Sequence, residues 1–84
     1  YLKKSHINNK IIMETKFLNL FKLTLEITDY DIKMEDEFRT YPEWDSLAYL
    51  SIIAMLDKEY EIQIEEAEFN KIITLNDLYN AIKR

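Results

Sequence analysis

Apolar residues recur every three or four positions in three stretches of the chain, and this spacing predicts three amphipathic helices. The first runs from about residue 13 to 25, the second from about 46 to 59, and the last begins after Thr74. Thr74 and Asp77 resemble a capping box at the start of the last helix. The residues expected to face the core are Phe17, Leu20, Phe21 and Leu25 in the first helix, and Leu75, Leu78, Tyr79 and Ile82 in the last.

The stretches between these helices predict ordered connections. Residues 60–64 alternate too briefly for a strand and predict an extended connector, while residues 65–69, with acids early, predict a short helix. Residues 27–43 form a long acidic loop, pinned to the core by Ile27, Tyr30, Ile32 and Phe38. The chain has no glycine, which removes the best residue of tight hairpin turns. We therefore predict an all-α fold, a small four-helix bundle of three longer helices and one short helix, with a long loop between the first and second helices.

The second helix carries more apolar surface than one core face requires. At about 100° per residue, one broad face holds Tyr49, Ile52, Ile53, Leu56 and Tyr60. A narrower apolar strip, which we call the second strip, holds Leu47, Leu50 and Ala54. Between them, on the expected outer side, lie Ala48, Ser51, Met55 and Lys58. The second strip is either buried by a neighbouring segment or exposed as a docking patch for a partner protein.

Composition excludes several classes of functional site. Without cysteine the chain has no disulfide, thiolate metal site or cysteine nucleophile, and without glycine it lacks the phosphate loops of nucleotide-binding proteins. The single histidine, His6, lies far in sequence from any serine on a predicted element, which argues against a catalytic triad. We therefore expect no catalytic residue and no metal site. No apolar run is long enough to cross a membrane, so the expected location is the cytoplasm.

Charge is concentrated in the middle of the chain. Residues 29–68 hold thirteen acidic and three basic side chains, a net charge of −10, whereas both flanking segments are basic. An acidic middle repels nucleic acid and attracts basic protein surfaces, although it could also serve solubility alone. Residues 1–12 are polar and basic without a sustained period, and Met13 is a candidate natural start. We therefore expect residues 1–12 to be a flexible or added N-terminal extension and residues 13–84 to be the folded domain.

The second helix begins with a hydroxyl in its first turn. Pro42 disfavours helix at Tyr41, so the helix should begin near Asp45, with Asp45 at the N-cap and Ser46 in the first turn. Backbone N–H groups there lack intrahelical partners, and the helix dipole favours an anion, so a phosphate on Ser46 would be well placed. The alternative is that both residues only cap the helix.

The order of these elements, with Asp45-Ser46-Leu47 opening the second helix, resembles the acyl carrier protein family. The resemblance covers about Glu14 to Ile82. The other matching features are Phe38 in the loop, the core run Ile52, Ile53 and Leu56, Tyr60 closing the helix, Ile62 and Ile64 in the connector, Ile73-Thr74-Leu75 at the start of the last helix, and Leu78 and Ile82 within it.

The resemblance implies that a phosphopantetheinyl transferase attaches 4′-phosphopantetheine from coenzyme A to Ser46. It also implies that Asp45 helps to position the serine and the metal-bound coenzyme A. The arm would carry acyl groups as thioesters, supplied by a ligase or acyltransferase and consumed by synthase or transferase enzymes. Such a protein is a non-catalytic carrier, expected to be a monomer. Alternatives are an aminoacyl or peptidyl carrier, and an unmodified acidic helical module that binds a basic protein.

Two departures from the family pattern point to a dedicated biosynthetic pathway. The positions of Ala48, Ser51 and Lys58 are commonly acidic in the fatty-acid-synthesis members, and Trp44 replaces a frequent glycine, which brings a large aromatic ring to the base of the arm. Partner docking would then depend on the second strip and on the neighbouring acids Glu43, Asp45, Asp57, Glu65 and Glu66.

Overall fold

The computed structural model describes the backbone of residues 2–83 and the side chains of residues 10–83. This part of the chain contains four helices: α1 (Leu2–Thr24), α2 (Ser46–Tyr60), α3 (Glu66–Phe69) and α4 (Leu75–Ile82). A 3-10 turn covers Phe38–Thr40. The only β-type pairing among the described residues is an isolated bridge between Glu37 and Thr74. The predicted all-α class is confirmed.

The first helix begins much earlier than the pattern indicated. We predicted a start near Met13, but α1 extends back to Leu2. Its first half contains neither glycine nor proline, so nothing in the sequence breaks the helix there. Ile11, Ile12 and Met13 are exposed, so the helix passes through this region without burying these apolar side chains. The periodic spacing of buried apolar residues therefore begins only at Phe17, where the core begins. That residues 1–12 are an extension of the domain stays a prediction.

The core lies between the second half of α1 and the helices α2 and α4. Phe17 and Phe21 of α1 are fully buried, as are Ile52 and Leu56 of α2. The predicted stripe of α4 is confirmed, because Leu75, Leu78, Tyr79 and Ile82 are all buried. The capping box is confirmed as well: the Asp77 backbone N–H donates to the Thr74 hydroxyl, and the Asp77 carboxylate accepts from the Thr74 backbone N–H.

The buried face of α2 is rotated relative to the prediction. Ala48 and Met55 were expected on the outer side of the helix, but both are buried beside Ile52 and Leu56. Positions 48, 52, 55 and 56 are spaced as one helix face, so the face centred on Ile52 includes them. The predicted core residues Tyr49, Ile53 and Tyr60 are half-buried along its edges.

The long segment between α1 and α2 is ordered, as predicted. Ile27, Ile32 and Phe38 are buried in the core. Two carbonyl groups of this segment also receive the first free N–H groups of α4: Leu75 N–H donates to Asp36 at 3.0 Å, and Asn76 N–H donates to Met34 at 2.7 Å. The long segment therefore supplies hydrogen-bond acceptors for the N-terminus of α4. A sequence pattern cannot show such a contact between distant residues. Within the described residues, no helix is both long enough and apolar enough to span a membrane.

Candidate functional site

Asp45 caps the start of α2. Its backbone is extended, with φ −157° and ψ −171°, and one carboxylate oxygen accepts a 2.7 Å hydrogen bond from the Ala48 N–H. This is the N-cap geometry that the sequence predicted. The carboxylate thus satisfies one of the N–H groups that have no partner within the helix.

Ser46 is the first helical residue of α2, and its side chain is exposed. Its hydroxyl makes no hydrogen bond with any residue that the structure describes, unlike the hydroxyls of Thr24, Thr40 and Thr74, which are all bonded. Capping is therefore carried out by Asp45 alone. The Ser46 oxygen is left accessible to a reagent from solvent.

A surface depression of about 370 Å³ opens beside Ser46. It lies where the start of α2, the 3-10 turn and α3 meet. Besides Asp45 and Ser46, it is lined by Arg39, Trp44, Tyr49, Glu66, Phe69 and Asn70. Ligand sites in proteins have volumes of about 300–1,000 Å³, so this depression is large enough to hold part of a flexible chain.

Trp44 forms the inner wall of the depression. Its ring stacks with those of Phe21 and Phe69, with ring planes inclined by 3° and 9° and centroids 6.4 and 6.2 Å away. Phe38 packs edge-on against the same ring at 5.0 Å. Trp44 and Ser46 thus line the same depression, and the Trp44 ring also packs against three core aromatic rings.

Arg39 is a site residue that the sequence analysis did not single out. Its guanidinium donates to the Phe69 carbonyl at 2.8 Å and also to the Ile72 carbonyl, so it binds one carbonyl in the last residue of α3 and one just beyond it. The guanidinium carbon also lies 4.9 Å from the Phe38 ring centroid and 5.1 Å from that of Phe69. The available signal was charge, because Arg39 is one of three basic residues in the acidic middle segment.

The second strip is exposed. Leu47 is 72% and Leu50 58% exposed, and Ala54 is exposed as well. The alternative that a neighbouring segment of the described chain buries these residues is therefore wrong. Ser51 and Lys58 are exposed, as predicted for the outer side of α2.

The predicted docking acids differ in their surroundings. Asp57, Glu65 and Glu66 are exposed, whereas Glu43 is half-buried and accepts a 2.6 Å hydrogen bond from the Tyr30 hydroxyl. Partial burial, this hydrogen bond and the negative charge of Glu43 raise the pKa of Tyr30 to about 12. The Tyr30–Glu43 contact joins the two halves of the long loop. Glu43 therefore has a structural contact in addition to its predicted docking role.

The chemistry of the site thus rests on a free hydroxyl, a helix N-terminus and a neighbouring cation. In the described part of the chain, no three His, Cys, Asp or Glu side chains are arranged to hold a metal ion.

Comparisons with protein-family models, curated proteins and solved structures gave no match for this chain.

Proposed function

We propose that this protein is an acyl carrier protein, a small four-helix bundle with a long loop that holds acyl groups on 4′-phosphopantetheine esterified to Ser46. The observation that carries the proposal is the state of the Ser46 hydroxyl. It is exposed at the first position of α2 and free of hydrogen bonds to the described residues, while Asp45 supplies the cap. Because Asp45 occupies the N-cap and makes the capping bond, the serine hydroxyl beside it is left free for modification.

The residues around Ser46 suit a phosphodiester. In the attachment step, the Ser46 oxygen attacks the phosphorus that bears pantetheine in coenzyme A. Adenosine 3′,5′-bisphosphate leaves, and the serine proton passes to a base of the transferase. The product carries negative charge at the N-terminus of α2, where the helix dipole stabilises it. Once attached, the cofactor supplies the thiol on which acyl groups are held, since the chain has no cysteine.

Partner enzymes would dock beside Ser46 on the second strip. Leu47, Leu50 and Ala54 present exposed apolar surface on α2, and Asp57, Glu65 and Glu66 add exposed negative charge near it. An apolar patch with an acidic rim is typical of a surface that a basic partner covers. We expect the transferase and the acyl-loading and acyl-consuming enzymes to share this surface.

A dedicated pathway is favoured by the outer side of α2. Ser51 and Lys58 are exposed where the resemblance leads one to expect acids, so partners that recognise those acids would bind poorly. Ala48 no longer contributes to this argument, because it is buried. An aminoacyl or peptidyl cargo remains compatible with the same site. We expect the modification to take place in the cytoplasm.

The proposal is tested by incubating the full chain with coenzyme A, Mg²⁺ and a broad-specificity phosphopantetheinyl transferase. Intact mass should increase by one phosphopantetheinyl group in the wild type and in Ser51→Ala, and should stay unchanged in Ser46→Ala. Ser51 is the matched control because it is another exposed serine of α2. An unchanged wild-type mass, or an equal gain in Ser46→Ala, would end the carrier proposal and favour the unmodified interaction module.

If the wild type is modified, loading separates the two kinds of carrier. An acyl carrier should accept acyl groups from fatty-acyl ligases or acyltransferases, whereas an aminoacyl or peptidyl carrier should accept amino acids from adenylating enzymes. Intact mass after each incubation identifies the cargo, and the thioester should be released by neutral hydroxylamine.

A further inference from the structure

The interior behind Ser46 is closed by aromatic rings. Trp44 stacks with both Phe21 and Phe69, and Phe38 packs edge-on against it. Phe21, Phe38 and Phe69 are each no more than 1% exposed. Protein interiors packed in this way have few voids larger than a water molecule. A chain that started at Ser46 and turned toward these rings would have to displace Trp44.

The depression beside Ser46 offers a different resting place. Arg39 is the only cation among the described residues that line it, and the guanidinium is held in place by the Phe69 and Ile72 carbonyls. Trp44, Tyr49 and Phe69 provide apolar wall, and Asn70 provides amide hydrogen-bonding groups at the rim. Asp45 and Glu66 are acidic, so Arg39 marks the side toward which a phosphodiester on Ser46 is attracted.

We propose that Trp44 excludes cargo from the helical core, so that the phosphopantetheine arm and its acyl group lie in the surface depression between α2, Arg39 and α3. The proposal rests on the function proposed above and specifies its cargo. A surface depression suits short or polar acyl groups, because a long alkyl chain would leave most of its apolar area in water. Trp44 is on this view a specificity-determining residue.

The test compares butyryl and palmitoyl thioesters on the modified protein. A thioester buried in a protein interior is shielded from nucleophiles in solution. In the wild type, neutral hydroxylamine should therefore cleave both thioesters at the same rate. In Trp44→Ala, which opens the interior, the palmitoyl thioester should be cleaved more slowly than the butyryl thioester. Tyr49→Ala is the matched control, because Tyr49 is half-buried like Trp44 and lines the same depression. Its ring packs on Phe69 alone among the core rings, whereas Trp44 packs on three, so Tyr49→Ala should leave the two rates equal.

A second measurement uses the wild type alone and holds even if Trp44→Ala fails to fold. Trp44 is the only tryptophan of the chain, so its indole N–H signal reports on the depression. Attachment of the arm should shift this signal. Replacement of butyryl by palmitoyl should leave the methyl signals of the core residues Ile52 and Leu78 unchanged.

The outcomes separate the two proposals. Slower cleavage of the palmitoyl thioester in the wild type, or shifted Ile52 and Leu78 methyl signals, would overturn the exclusion by Trp44 and leave the carrier function intact. An indole signal that does not respond to the arm would likewise overturn binding in the depression. Absence of modification at Ser46 would overturn both proposals.

Discussion

The Asp45 carboxylate accepts a 2.7 Å hydrogen bond from the Ala48 N–H, directly across the first turn of α2. Asp45 and Ser46 are both residue types that cap helices, and the sequence predicted Asp45 at the N-cap and Ser46 in the first turn. The structure gives the cap to Asp45. The two neighbours thus have separate roles, one in the stability of α2 and the other, as we propose, in attachment of the cofactor.

This division predicts unequal effects of alanine substitution. Asp45→Ala should lower the free energy of unfolding by about 1 kcal/mol, the usual cost of a lost N-cap. Ser46→Ala should leave it nearly unchanged, because the hydroxyl bonds to no described residue. Urea denaturation of the unmodified proteins measures both values. A loss in Ser46→Ala as large as that in Asp45→Ala would show that the serine also caps the helix.

The second strip predicts a separation of docking from folding. Leu47→Asp and Leu50→Asp place a charge on side chains that are already exposed, so stability should change by no more than about 0.5 kcal/mol. Transfer of acyl groups by partner enzymes should fall strongly. Ile52→Asp is the buried control on the same helix, and it should lose about 4 kcal/mol or more, since the new charge would have no partner. Unimpaired transfer in both leucine variants would show that partners bind elsewhere.

Arg39 should contribute more to stability than an exposed cation normally does. Its guanidinium binds the Phe69 and Ile72 carbonyls and lies against two phenyl rings. A hydrogen bond to a charged group contributes about 1.5–3 kcal/mol. We expect Arg39→Ala to lower the free energy of unfolding by about 1.5–3 kcal/mol in total. Arg39→Lys should restore little of it, because an ammonium group lacks the planar fork.

The control for Arg39 is Lys58→Ala, which removes an exposed cation of α2 that forms no ion pair with a described residue. Thermal unfolding of both variants provides the comparison. If the two substitutions lower the melting temperature by the same small amount, the contacts of Arg39 with the end of α3 do not stabilise the fold.

The local features of the fold were predictable from sequence, and the tertiary ones were not. The capping box of Thr74 and Asp77 and the cap at Asp45 depend on residues a few positions apart, and both predictions are confirmed. The burial of Ala48 and Met55 depends on which way α2 is rotated, and its many apolar residues left that rotation open. The start of α1 was missed because a periodic spacing of apolar residues indicates only the part of a helix that is buried. The N-terminal part of α1 extends beyond the core.

The candidate site shows the same division. The sequence placed Ser46 in the first turn of α2 and singled out the second strip by helix spacing, and both are exposed in the structure. Arg39 and the stacking of Trp44 were missed as site features, because they join residues 23 to 33 positions apart through a loop without a repeating pattern. A long loop can place a side chain almost anywhere on a small core, so only coordinates show such contacts.

The Asp77 carboxylate makes the stability of the fold dependent on pH. It accepts hydrogen bonds from the backbone N–H groups of Thr74 at 3.1 Å and Ile73 at 3.3 Å, and these bonds lower the pKa of Asp77 below its ordinary value of 3.8. As the pH falls, the unfolded chain therefore takes up a proton at this position before the folded protein does. The stabilisation is complete above the unfolded-state pKa and is lost as the pH falls through the lower folded-state pKa.

Asp77→Asn should therefore make the free energy of unfolding less dependent on pH at acidic pH. As the pH falls through and below the ordinary value of 3.8, the free energy of unfolding of the wild type should decrease more steeply than that of Asp77→Asn, which has no carboxylate to protonate at this position. Asp57→Asn is the control, because Asp57 is exposed on α2 and its carboxylate bonds to no described residue. Urea denaturation at a series of pH values measures the slopes. Parallel curves for the wild type and Asp77→Asn would mean that the negative charge of Asp77 does not stabilise the capping box of α4.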